Sequence, residues 1–202
     1  SRRRHTRYWR DWSSDVCSSD LNNQSADLFT SYFSHLPHII RRNRTSVAVI
    51  QGNETAKELE QLADDVHSYF GLGCRNVTKL YVPEGYDFIP LIQAFKKYTY
   101  LGEHHKYRNN FDYQLSLLIL NNKFYMVGGP TILVEEKSIF SAIGILHYSF
   151  YSNESALFKE LESDEQIQCI VSRKHIPFGS TQDPDLFQYA DGIDVMQFLL
   201  QL

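Results

Sequence analysis

Residues 46–82 read SVAVIQGNETAKELEQLADDVHSYFGLGCRNVTKLYV, and this stretch decides the fold. Segment 46–50 is a short apolar, β-branched run closed by Gln-Gly-Asn, which predicts a buried strand that enters a turn. A second strand is predicted over 77–82. Because a helical pattern lies between them, the stretch reads as a βαβ unit. Its two strands are expected to be parallel and joined by a right-handed crossover.

The helix between these strands carries signals at both ends. Thr55-Ala56-Lys57-Glu58 has the form of a capping box, in which side chains bond the free backbone N–H groups of the first turn. Gly71 supplies a stop signal after the helix. Apolar residues recur at three- and four-residue steps along one face, namely Leu59, Leu62, Ala63, Val66, Tyr69 and Phe70.

The later sequence alternates between helical and strand patterns. A helix is predicted over 87–98, and a hairpin over 115–120 and 123–127 with Asn121-Asn122 as its turn. Further strands are predicted over 131–134, 142–150 and 168–171, and a further helix over 154–161. The fold class that follows is α/β, with a mixed open sheet and flanking helices.

Composition excludes several classes of protein. The chain has 202 residues, a net charge of -4, 43% apolar and 14% aromatic residues, so it can fill a sizeable core and is neither collagen-like nor disordered. The mildly acidic balance gives no general attraction to nucleic acid. No apolar run is long enough for a membrane span, and three distant cysteines indicate reduced thiols in a cytoplasmic protein.

Residues 1–21 differ from the rest of the sequence. They hold five arginines and both tryptophans with neither helical nor strand periodicity, and they lack the apolar stretch of a signal peptide. The segment resembles the translated read-through of a sequencing adapter, and we interpret it as non-native and disordered; a disordered basic arm is the alternative. Residues 22–202 form the native body, which begins without an initiator Met and is expected to belong to a longer protein.

Cys74 is the main candidate for chemistry. It stands in a glycine-bearing loop between a predicted helix and strand, where a thiol could be exposed at the carboxyl edge of the sheet with backbone N–H groups facing a bound carbonyl. Arg75 beside it would favour the thiolate, the nucleophilic form. The alternative is a buried structural thiol, which is also the interpretation for Cys169 within its apolar strand.

No metal site is expected. His104 and His105 are adjacent, so their side chains diverge on a helix or a strand, and no second pair of Cys or His follows at ligand spacing. They read as a solvated surface pair.

Several motifs together resemble one family. Segments 36–44 (LPHIIRRNR), 52–55 (GNET) and 71–77 (GLGCRNV) resemble the LuxC-type acyl-CoA reductases of the aldehyde dehydrogenase superfamily. Segment 138–143 (SIFSAI) is similar to the superfamily's Glu-Ile-Phe-Gly-Pro-Val element, and 176–179 (IPFG) to its Pro-Phe-Gly element. The resemblance implies an aldehyde-dehydrogenase-like catalytic domain with most of its cofactor half missing, whose C-terminal end packs on that half.

The resemblance also implies a reaction. Cys74 would take an acyl group from CoA or from an acyl-transferring partner protein, and NADPH would then reduce the thioester to an aldehyde. Phe140 would lie beside the nicotinamide. Ser138 stands where the superfamily has a ribose-binding glutamate, which weakens that cofactor contact. The intact protein is expected to be a homo-oligomer, and this truncated chain alone is expected not to turn over NADPH.

One absence favours reduction over hydrolysis. Superfamily members that hydrolyse their thioester use a glutamate upstream of the cysteine to activate water, and this chain has no Asp or Glu between Leu28 and Asn53. A reductase does not need that base. The leading hypothesis is therefore a fragment of a fatty acyl-CoA reductase. The alternatives are a thioester hydrolase that pairs Cys74 with a histidine, and a non-catalytic binding or structural module.

Overall fold

A computed structural model describes residues 17–20, 23–189 and 192–201 of the chain. The described residues fall into two compact units. The larger unit is Arg44–Asp185, and the smaller one is formed by the described residues on either side of it. Each unit is treated separately below.

The smaller unit contains a pair of parallel strands. Strand β1 is Cys17–Asp20 and strand β2 is His38–Arg41, with helix α1 at Asn23–Phe33 between them in the chain. The sequence predicted no strand within 1–21, so β1 differs from that prediction for its four residues. The other residues of that segment lie outside the described part of the chain, and its interpretation as non-native stays a prediction. A short helix at Val195–Leu200 also belongs to this unit.

The larger unit is built on a six-stranded sheet. Its strands are β3 (Thr45–Val49), β4 (Val77–Pro83), β5 (Met126–Gly128), β6 (Thr131–Glu135), β7 (Ile145–Tyr151) and β8 (Ile167–Val171). Their order across the sheet is β5-β6-β7-β4-β3-β8. All neighbours are parallel except the antiparallel pair β5 and β6. The mixed α/β fold class predicted from the sequence is confirmed.

Helices cover both faces of this sheet. They are α2 (Ala56–His67), α3 (Ile89–Phe95), α4 (His105–Leu120) and α5 (Glu154–Ser163). Helices α2 and α3 pack on one face, where Leu62, Leu91 and Phe95 contact buried residues of the parallel strands. Helix α5 packs on the opposite face through Leu157 and Leu161. Strands β3, β6 and β8 are almost entirely buried between these layers and are rich in aliphatic residues, as is common in parallel sheets, whereas β4 and β7 also carry polar residues.

The predicted capping box at the start of α2 is present. The Thr55 hydroxyl accepts a hydrogen bond from the Glu58 N–H at 3.2 Å, and the Glu58 carboxylate accepts one from the Thr55 N–H at 2.7 Å. The same carboxylate binds Arg173 through two contacts of 2.7 and 2.8 Å. The Arg173 hydrogen bond and the Thr55 N–H together lower the pKa of Glu58 from its ordinary 4.5 to about 2.

This pKa predicts how the stability of α2 depends on pH. Because the folded-state pKa is depressed, the stabilisation from Glu58 is present above pH 4.5 and is lost as the pH falls toward 2. We expect the free energy of unfolding to fall more steeply between pH 5 and 2 in the wild type than in Glu58→Gln. Urea unfolding at a series of pH values measures this, and equal slopes would contradict it.

The predicted hairpin over 115–127 is wrong. Residues 115–120 belong to the second half of α4, which ends at Leu120 with Asn121 as its C-cap, and Asn122 follows with φ of 52°. The apolar run reads locally as a strand. Phe111 and Leu115 nevertheless lie one helical turn apart and pack with Leu118 against Ile132 of β6. The hairpin that the structure contains lies further along the chain and joins β5 to β6. Its turn includes Gly129, whose φ is +60°.

Candidate functional site

Cys74 lies in an exposed turn directly before β4. The sequence placed it at the carboxyl edge of the sheet, and that prediction is wrong. A turn that leads from a helix into the next parallel strand lies at the amino edge, because the strand begins there. The thiol itself is exposed, as expected for a reactive cysteine, whereas Cys169 on β8 is buried and its pKa is raised by that burial.

The turn around Cys74 is fixed by a buried asparagine. Asn76 is fully buried, and its side-chain oxygen accepts a hydrogen bond from the Gly73 N–H at 2.8 Å. Its amide group donates to the carbonyls of Asp65 at 3.0 Å and Ser68 at 2.8 Å. One side chain thus joins the end of α2 to the Cys74 turn.

A second contact holds the backbone of Cys74. The Ser46 hydroxyl, from the start of β3, donates to the Cys74 carbonyl at 3.0 Å. The Cys74 N–H bonds no group in the described part of the chain. A fixed backbone with an unoccupied N–H next to the thiol is the arrangement that can donate to the oxyanion of an acyl-transfer reaction.

The chain between α2 and Cys74 bends in a way that the sequence did not predict. The helix was expected to continue through Phe70, but it ends at His67, and Tyr69 and Phe70 adopt φ of 54° and 62°. A side chain in this left-handed region costs about 1–2 kcal/mol. The bend leaves Tyr69 72% and Leu72 65% exposed. Exposed apolar side chains therefore lie in the segment that leads into the Cys74 turn.

The Pro-Phe-Gly segment is tied to the same end of α2. Asp65 is buried, and its carboxylate accepts hydrogen bonds from the N–H groups of Gly179 at 2.6 Å and Thr181 at 3.1 Å, and from the Thr181 hydroxyl at 2.8 Å. Burial raises the pKa of this carboxyl against the effect of these donors. Arg75 donates to the Thr181 carbonyl at 3.0 Å, so the segment is anchored beside Cys74.

Segment 136–144 joins the parallel strands β6 and β7 without a helix. It contains Ser138 and Phe140. The Ser138 hydroxyl accepts from the Phe140 N–H at 3.2 Å and donates to the Phe140 carbonyl at 3.0 Å, so it is used within its own loop. Thr78, four residues after Cys74, donates to the Ile139 carbonyl at 2.6 Å. The structure therefore attaches this segment, which we call the crossover, to the strand that begins at the Cys74 turn.

A small cavity marks where these parts meet. It has a volume of about 20 Å³ and lies between the end of α2, the start of β4 and the crossover, with Gly71, Thr78 and Ala142 among its lining residues. The cavity thus lies between residues next to the Cys74 turn and the end of the crossover, whereas Cys74, Ser138 and Phe140 are not among its described lining residues.

Sequence reasoning missed the side chains that hold this region together. Asp65, Asn76, Thr78 and Lys79 all lie within the quoted stretch 46–82, where they were read as polar positions of a helix, a loop and a strand. A lysine inside an apolar strand is the one signal that could have been used, because lysine is almost never fully buried without a partner.

Three described histidines make their hydrogen bonds to groups other than Cys74. Within the larger unit, His67 bonds Thr131 at 2.6 Å, His147 bonds the Ser138 carbonyl at 2.9 Å, and His175 bonds Glu162 at 2.9 Å. No described hydrogen bond joins a histidine to the thiol, which is the contact that the hydrolase alternative needs.

His104 and His105 are exposed, and the His104 ring packs against Phe70 with centroids 4.8 Å apart. In the part of the chain that the structure describes, no three Cys, His, Asp or Glu side chains are grouped as metal ligands would be. None of the described helices is both long enough and apolar enough to cross a bilayer.

Solved structures with the same architecture are aldehyde dehydrogenases. An NAD-dependent aldehyde dehydrogenase from Sinorhizobium meliloti aligns with a TM-score of 0.53 at 8% identity, over 93% of this chain and 41% of its own. Aldehyde dehydrogenase 21 from Physcomitrella patens aligns with a TM-score of 0.54 at 9% identity, over 86% and 40%. An aldehyde dehydrogenase from Bacillus cereus in complex with NAD+ aligns with a TM-score of 0.53 at 7% identity, over 75% of this chain and 38% of its own.

The chain has an aldehyde-dehydrogenase-like fold. It spans about two fifths of the length of these structures. No protein-family model matches the sequence, and no curated protein sequence matches it either. At identities below 10% the likeness concerns the fold, and the chemistry has to be argued from the site.

Proposed function

We propose that this chain is part of an NADPH-dependent fatty acyl-CoA reductase and that Cys74 is its acyl-accepting nucleophile. One observation carries the proposal. Cys74 is exposed in a turn whose backbone is fixed by Asn76 and Ser46, next to an N–H that bonds no described group. The aldehyde-dehydrogenase-like fold and the GLGCRNV stretch at 71–77 support the same assignment.

The acyl-transfer step follows from this geometry. The Cys74 thiolate attacks the thioester carbonyl of a fatty acyl-CoA, the C–S bond to CoA breaks, and CoA leaves as a thiol after protonation. The Cys74 N–H can donate to the oxyanion that develops on the carbonyl. The exposed side chains of Tyr69 and Leu72 would offer an apolar surface to the acyl chain.

The crossover is the part of this chain that would face the cofactor. Phe140 is half-buried, so part of its ring can pack against a nicotinamide. The Ser138 hydroxyl would have to exchange its bonds within the loop for a ribose hydroxyl. NADPH, when bound, supplies the hydride that converts the thioester to an aldehyde. An acyl-transferring partner protein and a homo-oligomeric whole enzyme belong to the same proposal.

We expect radiolabelled fatty acyl-CoA to leave a label on the protein that hydroxylamine releases. Cys74→Ala should lower the label at least 100-fold, because it removes the attacking sulfur. Cys169→Ala is the matched control, since its thiol is buried on β8 and should not affect labelling. Gel fluorography or intact-protein mass spectrometry measures the label.

Two outcomes would reject the assignment. Label that persists in Cys74→Ala would place the acyl group elsewhere. Steady release of free fatty acid without nucleotide would instead indicate the hydrolase.

A further inference from the structure

Lys79 is a buried lysine at the centre of the sheet. Its side chain is fully buried on β4, although lysine is rarely buried without a carboxylate partner. The β3–β4 register shifts between Ser46 and Val47, so that Ser46 pairs with Val77 and Val47 with Lys79. This irregularity lies beside Thr78, and the neighbouring residues Thr78 and Lys79 both bond the crossover.

Lys79 is held by dipoles. Its ammonium group donates to the Glu136 carbonyl and to the Ser149 hydroxyl, the latter at 2.5 Å. The Ser149 hydroxyl donates to the same Glu136 carbonyl at 3.2 Å, and the Tyr81 ring lies 5.5 Å from the ammonium nitrogen. No described ion pair joins Lys79 to a carboxylate. The charge is therefore directed at the backbone of the crossover.

The crossover is anchored at three carbonyl groups. The Glu136 carbonyl accepts a hydrogen bond from Lys79. The Ser138 carbonyl is bonded by His147 at 2.9 Å, and the Ile139 carbonyl accepts from Thr78 at 2.6 Å. Because this connection has no helix, these side chains replace the internal hydrogen bonds that a helical crossover would supply. Of the side chains that donate to these carbonyls, Lys79 alone can give a charge-assisted bond at neutral pH, since burial lowers the pKa of His147.

We propose that Lys79 is a positioning residue that fixes the crossover, and with it Phe140, through the Glu136 carbonyl. That Lys79 fixes the crossover can be tested on this chain alone. That the crossover in turn places Phe140 for hydride transfer rests on the proposed reductase function. Lys79 is fully buried and touches no substrate, so it acts through the backbone that it holds.

The charge of Lys79 gives this role a pH dependence. Burial lowers the pKa of Lys79 to about 8, against the opposing effect of Glu136 and Glu135. His147 and Tyr81 are the other titratable groups that face it, and Lys123 bonds the Glu136 carboxylate at 3.1 Å. The pKa of His147 is lowered and that of Tyr81 is raised, so neither titrates near pH 8. Loss of the Lys79 charge should therefore weaken the anchor as the pH rises through about 8.

Hydrogen exchange of the amides at 137–141 tests this on the chain itself. After correction for intrinsic base catalysis, we expect their protection in the wild type to fall about tenfold as the pH rises through 8. Lys79→Met should show, at every pH from 6 to 10, the low protection that the wild type reaches only above pH 8. Lys79→Arg keeps a charged donor and should restore protection without the step near pH 8. Thr78→Val is the matched control, because it removes a neutral anchor and should keep that step.

The wild-type pH profile decides the proposal even where a variant does not fold, with β4 amides as the internal reference. Corrected protection at 137–141 that stays constant from pH 6 to 10 would overturn it, and so would wild-type protection in a folded Lys79→Met. Acyl labelling of Cys74 is measured on the same wild-type sample. Its absence would reject the proposed function and leave the exchange result for Lys79 unaffected.

Discussion

Asn76→Asp is expected to lower the free energy of unfolding by about 3 kcal/mol and to release the Cys74 turn. The two side chains have nearly the same shape, but an ionised carboxylate has no N–H to donate. In the wild type, the Asn76 amide donates to the Asp65 and Ser68 carbonyls at 3.0 and 2.8 Å. In the variant, a carboxylate oxygen would lie against these carbonyl oxygens in a fully buried position, so the side chain would donate to neither of them.

Urea unfolding measures the loss of stability, and the rate of Cys74 acylation measures the loss of order in the turn. Asn109→Asp is the matched control, because Asn109 is exposed on α4 and the same chemical change there should alter stability by less than about 0.5 kcal/mol. A variant that unfolds like the wild type but acylates slowly would confine the role of Asn76 to the turn. Unchanged stability together with unchanged acylation would show that the buried amide contributes nothing to the site.

The parts of the fold predicted from the sequence are those fixed by local signals. The capping box at Thr55 and the apolar face of α2 lie within one helix, and β3 was recognised as a buried strand and β4 as a strand from their own residues. The second half of α4 was mistaken for a strand because its neighbours in space, Ile132 and Val134, decide which face is buried. A short apolar run has no period of its own that distinguishes the two structures.

In the candidate site too, only the features that depend on local sequence could be predicted. Cys74 could be selected from its loop and from its family resemblance, and the structure places it in an exposed turn. Its edge of the sheet was predicted wrongly, because that depends on strand direction. Asp65, Asn76 and Lys79 were missed because their importance comes from burial, which brings each of them against backbone groups from other elements. Apart from the position of Lys79 inside an apolar strand, nothing in the residue types alone distinguishes them from polar surface positions.

Asp65→Asn is expected to lower the free energy of unfolding by about 2–3 kcal/mol. The buried carboxylate of Asp65 accepts from the Gly179 N–H, the Thr181 N–H and the Thr181 hydroxyl. In the variant, the new amide group must oppose at least one of these donors, because only one side-chain oxygen is left to accept. The Gly179 N–H lies 2.6 Å from the carboxylate, so a donor facing it there would force the Pro-Phe-Gly segment outward.

A graded series separates this effect from a general loss of packing. Thr181→Val removes one of the three donors at nearly constant volume, so it should cost about 1 kcal/mol by urea unfolding. Since Arg75 also holds the Thr181 carbonyl, at 3.0 Å, Asp65→Asn should expose the amides of 178–181 to exchange and slow the acylation of Cys74. If Thr181→Val were as damaging as Asp65→Asn, the hydroxyl alone would hold the segment, and the carboxylate would not be the anchor that joins the Pro-Phe-Gly segment to α2.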